Sequence, residues 1–138
     1  FHLKHKGNHM NQFHNPSSIA VPIPAYSHAV EVSPSARWLI LSGQIGIGID
    51  GLLGKSVAKQ SELIWHNIQE ILVSAGMEIT DIVKMTAYLL NPADVVDYAP
   101  VKNKYLGEHR PASTLIYVSA LATPDVTVEV EVVAARVD

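Results

Sequence analysis

Val126-Thr127-Val128-Glu129-Val130-Glu131-Val132-Val133-Ala134-Ala135 is the stretch on which the reading of the fold turns. Strand side chains alternate between faces with period two. Val126, Val128, Val130 and Val132 therefore share one face; Thr127, Glu129, Glu131 and Val133 share the other. One face is built for a core and the other carries two carboxylates, so the stretch predicts a strand packed on one side only.

Upstream of this strand the chain alternates between strand and helix signals. Pro16, Pro22 and Pro24 predict an extended lead-in. Ala25–Ser33 alternates, with Tyr26, His28, Val30 and Val32 on one face, and reads as a strand. Trp38–Ile45 reads as a second, more continuously apolar and expected to be buried on both faces. Ser56–Ala75 places Ile64, Ile68, Ile71, Leu72 and Ala75 on one helical stripe, and Gly76 is placed to end that helix. Asp81–Leu90 predicts a third strand with Val83, Met85, Ala87 and Leu89 together. A second helix is expected from about Asp97, with Pro100 in its first turn and Tyr98, Val101, Tyr105 and Leu106 toward the core. Ala112–Leu121 predicts a fourth strand, joined to the fifth by a hairpin at Leu121–Asp125. The order β-β-α-β-α-β-β implies an α+β fold, a mixed sheet with both helices on one face.

The 138 residues suffice for one domain with a real core. Apolar residues make up 48% and charged residues 17%, the balance of a globular chain rather than a disordered one. Ten Lys and Arg against 13 Asp and Glu give a net charge of −3, which argues against a bulk-charge phosphate surface. The absence of cysteine removes disulfides, thiolate catalysis and thiolate metal sites. No apolar run approaches the ~20 residues that span a bilayer. Phe1–His9 is basic, His-rich and aperiodic, runs into Met10, and reads as vector-derived. That leaves residues 10–138 as a single domain, expected to be cytoplasmic.

Gly46-Ile47-Gly48-Ile49-Asp50-Gly51 matches the dinucleotide pattern by letter. That chemistry needs a helix N-terminus inside the motif to meet the pyrophosphate, and here Leu52, Leu53 and Gly54 continue the loop. Gly54-Lys55-Ser56 resembles the end of a phosphate-binding loop, but the required first glycine would fall at Ile49. Both are read as a glycine-rich turn. His28, His66 and His109 are scattered without a metal-binding spacing, so no metal site is expected. Glu129 and Glu131 remain. They either protect a solvated sheet face, or one of them lines a cleft and orients water as a general base.

Several short motifs, in this order and spacing, resemble the YjgF/RidA (reactive-intermediate deaminase) family. They are Ser42-Gly43-Gln44-Ile45, Asn67, Ala75-Gly76-Met77, Asp81-Ile82-Val83-Lys84, Gly107-Glu108-His109-Arg110-Pro111-Ala112 and Val126-Thr127-Val128-Glu129-Val130-Glu131. The resemblance covers Ser18 to Val137. It implies a homotrimer around a central barrel, with ligand clefts between subunits. It also implies hydrolysis of enamine or imine intermediates to 2-keto acids and ammonia without a cofactor. Residues matching the family's cleft are Tyr26, Ser42 and Glu129, with the Gly43 and Ile45 backbone on the same wall. Ser42 and Glu129 are the catalytic candidates; Tyr26, Gly43, Ile45 and Ser113 are the substrate-binding ones.

One position departs from the pattern. Active deaminases of the family carry Arg two residues after the strand proline, where it clamps the substrate carboxylate. Here the run is Pro111-Ala112-Ser113. Three functions follow as expectations: an imine or enamine hydrolase with an altered substrate, a trimer that binds a small metabolite without turnover, and an endoribonuclease or translation inhibitor. The acidic balance and the lack of a basic–aromatic cluster place the last behind the other two and argue against a nucleic-acid partner. No membrane partner is expected.

Overall fold

The computed structural model describes residues 11–23 and 25–138. Phe1–His9, read as vector-derived, lie outside the described residues. Strands are β1 Gln12–His14, β2 Ala29–Glu31, β3 Arg37–Ile40, β4 Gln44–Ile45, β5 Ile82–Leu89, β6 Ala112–Tyr117 and β7 Val128–Arg136. The helices are α1 Val57–Ser74 and α2 Val95–Leu106. β3, β7, β5 and β6 lie side by side in that order, β4 also pairs β7, and β1–β2 forms a separate two-stranded ribbon. β5 and β6 run parallel; β3, β4 and β5 each run antiparallel to β7. The result is the expected α+β mixed sheet with both helices on one face.

The alternation of β7 decides its place. Val128, Val130, Val132 and Ala134 are buried with Met85, Ala87 and Leu89 of β5 under Ile64, Ile68 and Leu72 of α1. Val83, expected on that face, is also buried. A strand with so regular an apolar face takes the centre of the sheet, between β3–β4 and β5. This overturns the hairpin expected at Leu121–Asp125. β6 ends at Tyr117, pairs only β5 within the named strands, and never meets β7.

Ser56 caps α1, its Oγ accepting from the Lys59 amide at 3.1 Å. Gly76, at φ +69°, closes it: Gly76 N donates to Val73 O and Met77 N to Leu72 O, the paired bonds of a Schellman turn. Trp65, not on the expected stripe, is fully buried beside Tyr105. α2 begins two residues earlier than expected, after a single 3-10 turn at Pro92–Asp94. Pro100 consequently lies inside the helix rather than in its first turn, where its ring removes one backbone donor. Tyr98, Val101 and Leu106 are buried as expected.

Two strands differ from expectation near the site. Only Ala29–Glu31 of the first stretch is strand, and its partner is Gln12–His14, ahead of the expected lead-in at Pro16–Pro24. The second strand is interrupted at Leu41–Gly43 and is not buried on both faces: Trp38 and Ile40 are 57% and 76% exposed. Both point away from the helices, onto a sheet face that a single copy leaves uncovered.

The glycine-rich segment is a loop packed on the start of α1. A Cβ at Gly46 would fall 2.4 Å from the Gln60 Cα, and one at Gly54 would fall 2.9 Å from the Gln60 nitrogen. The buried Gln60 amide fills the junction. Its Nε2 donates to Gly54 O and Asp125 O, each at 3.0 Å, and its Oε1 accepts from Thr127 N and Thr127 Oγ1, each at 2.9 Å. Gln60→Met would leave these partners unmatched in a buried place. The expected loss is about 3 kcal/mol of unfolding free energy, read as a shift of the urea midpoint; an unchanged midpoint would contradict this reading.

Candidate functional site

The Ser42-Gly43-Gln44-Ile45 motif is built on a β-bulge. Ile40 pairs with Val133 and Gln44 with Val130, so the β3–β4 side has one residue more than β7 over the same span. Such bulges bend a strand and re-aim its residues, often beside functional sites. Here the extra residue brings the Gly43 backbone under the Glu129 side chain. A Cβ on Gly43 would fall 2.0 Å from Glu129 Oε2, so any larger residue displaces the carboxylate. Ile45 lies directly opposite Glu129 in register. Ser42 is exposed at the crest of the bulge. Gly43, Ile45 and Glu129 thus form one half-buried cluster on the sheet face opposite the helices, with Ser42 next to it in the chain.

Tyr88 of β5 completes that face and was not among the expected residues. It sits across from Glu129 in register, and its hydroxyl donates to Glu131 Oε1. That bond, with some desolvation, raises the Tyr88 pKa. Glu131 is exposed. The available signal was the alternation of β5, which puts Lys84, Thr86 and Tyr88 on the face opposite Met85, Ala87 and Leu89.

Tyr26 and Ser113 lie together elsewhere. Ser27 N donates to Pro111 O, and Ser27 bridges Ala112, which lays the segment carrying Tyr26 along the start of β6. Both residues line a pocket of about 230 Å³ between the sheet and α2. Met85, Ala87 and Leu115 supply apolar walls; Tyr98 and Lys102 of α2 close it. Ser113 pairs with Met85, which pairs with Val132, so its side chain belongs to the helix side of the sheet. The row through Glu129 crosses β5 at Tyr88 and β6 at Ile116, three residues along from Ser113. At ~3.3 Å per residue and ~4.8 Å per strand, the Glu129 and Ser113 backbones stand roughly 14 Å apart, with the side chains on opposite faces. Within one copy of the chain the two groups of residues therefore stay apart.

A groove of about 1000 Å³ runs between the glycine-rich loop and α1 and is walled by Ile47, Leu52 and Leu63 among others. None of the six expected site residues lines it. Asn67 belongs there, and its Nδ2 donates to Ile47 O at 2.9 Å, tying the loop to the helix. Among the described residues no three His, Asp or Glu side chains gather into a metal-binding group, and no helix is long and apolar enough to cross a membrane.

This fold matches that of solved Rid-family structures. The Endoribonuclease L-PSP family profile matches residues 17–136. A RutC family protein of Pyrococcus abyssi is 33% identical over 115 residues, covering 82% of this chain and 87% of its own. A protein of Escherichia coli named "Putative reactive intermediate deaminase TdcF" is 31% identical over 99 residues, 69% of this chain and 76% of its own. The crystal structure of YyfB, a Rid-family protein of Yersinia pestis, superposes with a TM-score of 0.79 at 32% identity, covering 90% of this chain and 97% of that one. The chain belongs to the Endoribonuclease L-PSP family, the YjgF/RidA group.

The Gly43–Glu129 contact is a local test of the site. Gly43→Ala forces the carboxylate aside, and the far end of a flexible side chain can move. Unfolding free energy is expected to fall by less than about 1 kcal/mol, while any activity that depends on Glu129 drops sharply. Unaltered activity with the alanine in place would remove Glu129 from the chemistry.

Proposed function

We propose that three copies of this chain assemble so that the Glu129 cluster of one meets the Tyr26–Ser113 pocket of its neighbour, and that the cleft hydrolyses an imine- or enamine-type small metabolite. The observation that carries this reading is the division of the site: the two halves sit on opposite faces of one sheet and cannot converge within one copy. Trp38 and Ile40 on the uncovered face, and the apolar β6 edge at Leu115, Ile116 and Tyr117, are surfaces that favour burial by another copy. The expected mass in light scattering is three times the 15.0 kDa of one chain; a monomer at micromolar concentration would sink the assembly.

In this mechanism Glu129 accepts a proton from a water that adds to the C=N carbon. Glu129 returns that proton to nitrogen to give the carbinolamine; the carbinolamine's hydroxyl proton then passes, through the same carboxylate, to the amine as the C–N bond breaks, releasing ammonia and leaving a carbonyl. Ser42 supplies a hydroxyl beside the reacting group, the Gly43–Ile45 backbone forms the wall, and Tyr26 borders the substrate. No step needs a cofactor. Ser113 stands where the family's active deaminases place the carboxylate-clamping arginine, so the substrate differs from a simple 2-imino acid. A cytoplasmic setting is part of this proposal.

A trimer that binds a metabolite without turnover is the second reading, and Ser113 favours it. A neutral hydroxyl contributes roughly 0.5–1.5 kcal/mol, whereas orienting reactants can supply up to ~7–11 kcal/mol of a barrier. The endoribonuclease reading has less support. Arg37 is paired with Asp138 and Arg136 with Asp81, while Arg110 donates to the carbonyls of Gly107 and His109. Wild-type protein is expected to hydrolyse 2-iminobutyrate near the uncatalysed rate in a trap-coupled assay, and Ser113→Arg to raise it. Robust wild-type turnover would refute the argument from Ser113; no gain in the variant would favour the binding-only reading.

A further inference from the structure

The glycine-rich segment is a hairpin laid along α1. Gly54 N donates to Gly46 O at 2.8 Å and Gly48 N to Leu52 O at 3.0 Å, with Ile47 opposite Leu53. Its root packs on Gln60 and its far half is tied to Asn67, so the groove of about 1000 Å³ opens along the helix. Ile47, Leu52, Leu53 and Leu63 give it an apolar lining. Leu52, and Ile49 at the hairpin tip, are exposed. None of the residues of the proposed cleft belongs to this groove.

The two ends of the groove carry opposite charge. Lys55 and Lys59 line it at the hairpin root, and among the described residues neither enters an ion pair. Asp50 and Glu70 line it at the hairpin tip, and both are exposed. Asp50 Oδ1 accepts from Leu52 N at 2.9 Å, and Glu70 lies 3.9 Å from His66 Nε2, which also lines the groove. Lys59 and Glu70 are set against the dipole of their own helix. That dipole favours acids in the first turn and bases in the last, and α1 has neither. Charges that do not serve the helix bearing them point to a use outside it.

We propose that this groove receives an amphipathic α-helix of a partner protein, acidic at its N-terminus and basic at its C-terminus, lying parallel to α1. Its apolar face meets Leu52, Leu53 and Leu63, its acids meet Lys55 and Lys59, and its bases meet Asp50 and Glu70. That order of charge is the one the dipole of the incoming helix itself favours, and an apolar stripe in a groove is a recurring mode of peptide recognition. Lys59 and Glu70 are eleven residues apart, ~16 Å along a helix, so the incoming segment needs about three turns. A second copy of the chain does not meet the requirement. It would present an identical groove, and two concave faces leave each other unfilled.

The test uses two synthetic peptides of about four turns, each held helical by a hydrocarbon staple, with the same leucine stripe. One has glutamates in its first turn and lysines in its last; the other has these charges exchanged. Fluorescence anisotropy of the labelled peptides reads affinity for the full chain, and amide NMR shifts locate the contact. The acid-first peptide is expected to bind about tenfold more tightly, the scale of several exposed ion pairs, and to shift Ile47, Leu63 and Asn67. Lys59→Glu combined with Glu70→Lys should erase that preference, and Leu52→Asp should weaken both peptides. The substituted side chains are exposed, and melting curves establish that each variant is folded. Equal binding of the two peptides, binding of neither, shifts confined to other surfaces, or an undiminished preference in the double variant would overturn the proposal. So would groove resonances that move with protein concentration alone, which would make a second copy the occupant. Imine turnover enters none of these readouts, so the outcome is independent of the hydrolase reading.

Discussion

The amide of Gln60 is the joint from which the rest of the architecture hangs. A primary amide offers two donors and a carbonyl oxygen, and here each is used on a different part of the chain: the glycine-rich loop, the turn before β7, and the Thr127 backbone and hydroxyl. Buried polar groups are stable only when matched in this way. Two glycines allow the loop backbone close enough for the match. The consequence reaches the site, because Thr127 is two residues from Glu129 and the loop leaves directly from β4. The carboxylate and the bulge that faces it are held by the same buried side chain.

A second constraint is the unequal treatment of the two sheet faces. The helix side is closed by α1 and α2 over a continuous apolar core. The other side mixes Trp38 and Ile40 with Glu129, Glu131 and Tyr88. A solvated sheet would not need the tryptophan and isoleucine, and a core would not tolerate the carboxylates. The combination is the reason the proposed assembly uses this face both for contact with another copy and for the ligand. The bulge at Ser42–Gly43 lies on this face, and the glycine leaves room for the Glu129 carboxylate where a Cβ would displace it.

Much of this was legible in particular residues. The valines of β7 were readable as a core face because period-two alternation survives any choice of neighbour. α1 was readable from its stripe, from Ser56 as its cap and from Gly76 as its stop, all local effects of backbone chemistry. The glycine-rich letters were readable as a turn because helical period begins too late to serve a phosphate. The short pairing of Gln12–His14 with Ala29–Glu31 was not legible: three residues make no periodic signal, and the partner is distant in the chain. Pro100 misled because the position of a helix start depends on the preceding 3-10 turn, which the apolar stripe does not report.

The sequence by itself determined the class of fold, the identity of the core faces and the residue types available for chemistry, since these follow from local periodicity and side-chain character. Only the tertiary structure decided which strands are neighbours. β7 sits between β5 and β3–β4 because its valines need α1 above them, and the expected hairpin with β6 is lost for that reason. Strand order in turn separated the six expected residues into the Gly43–Ile45–Glu129 cluster with Ser42 beside it and the Tyr26–Ser113 pocket, and added Tyr88 to one and Lys102 to the other. Tyr88 joins by register across a sheet and Lys102 by packing of a helix over a strand. Both are relations between segments far apart in the chain, and no local pattern encodes them.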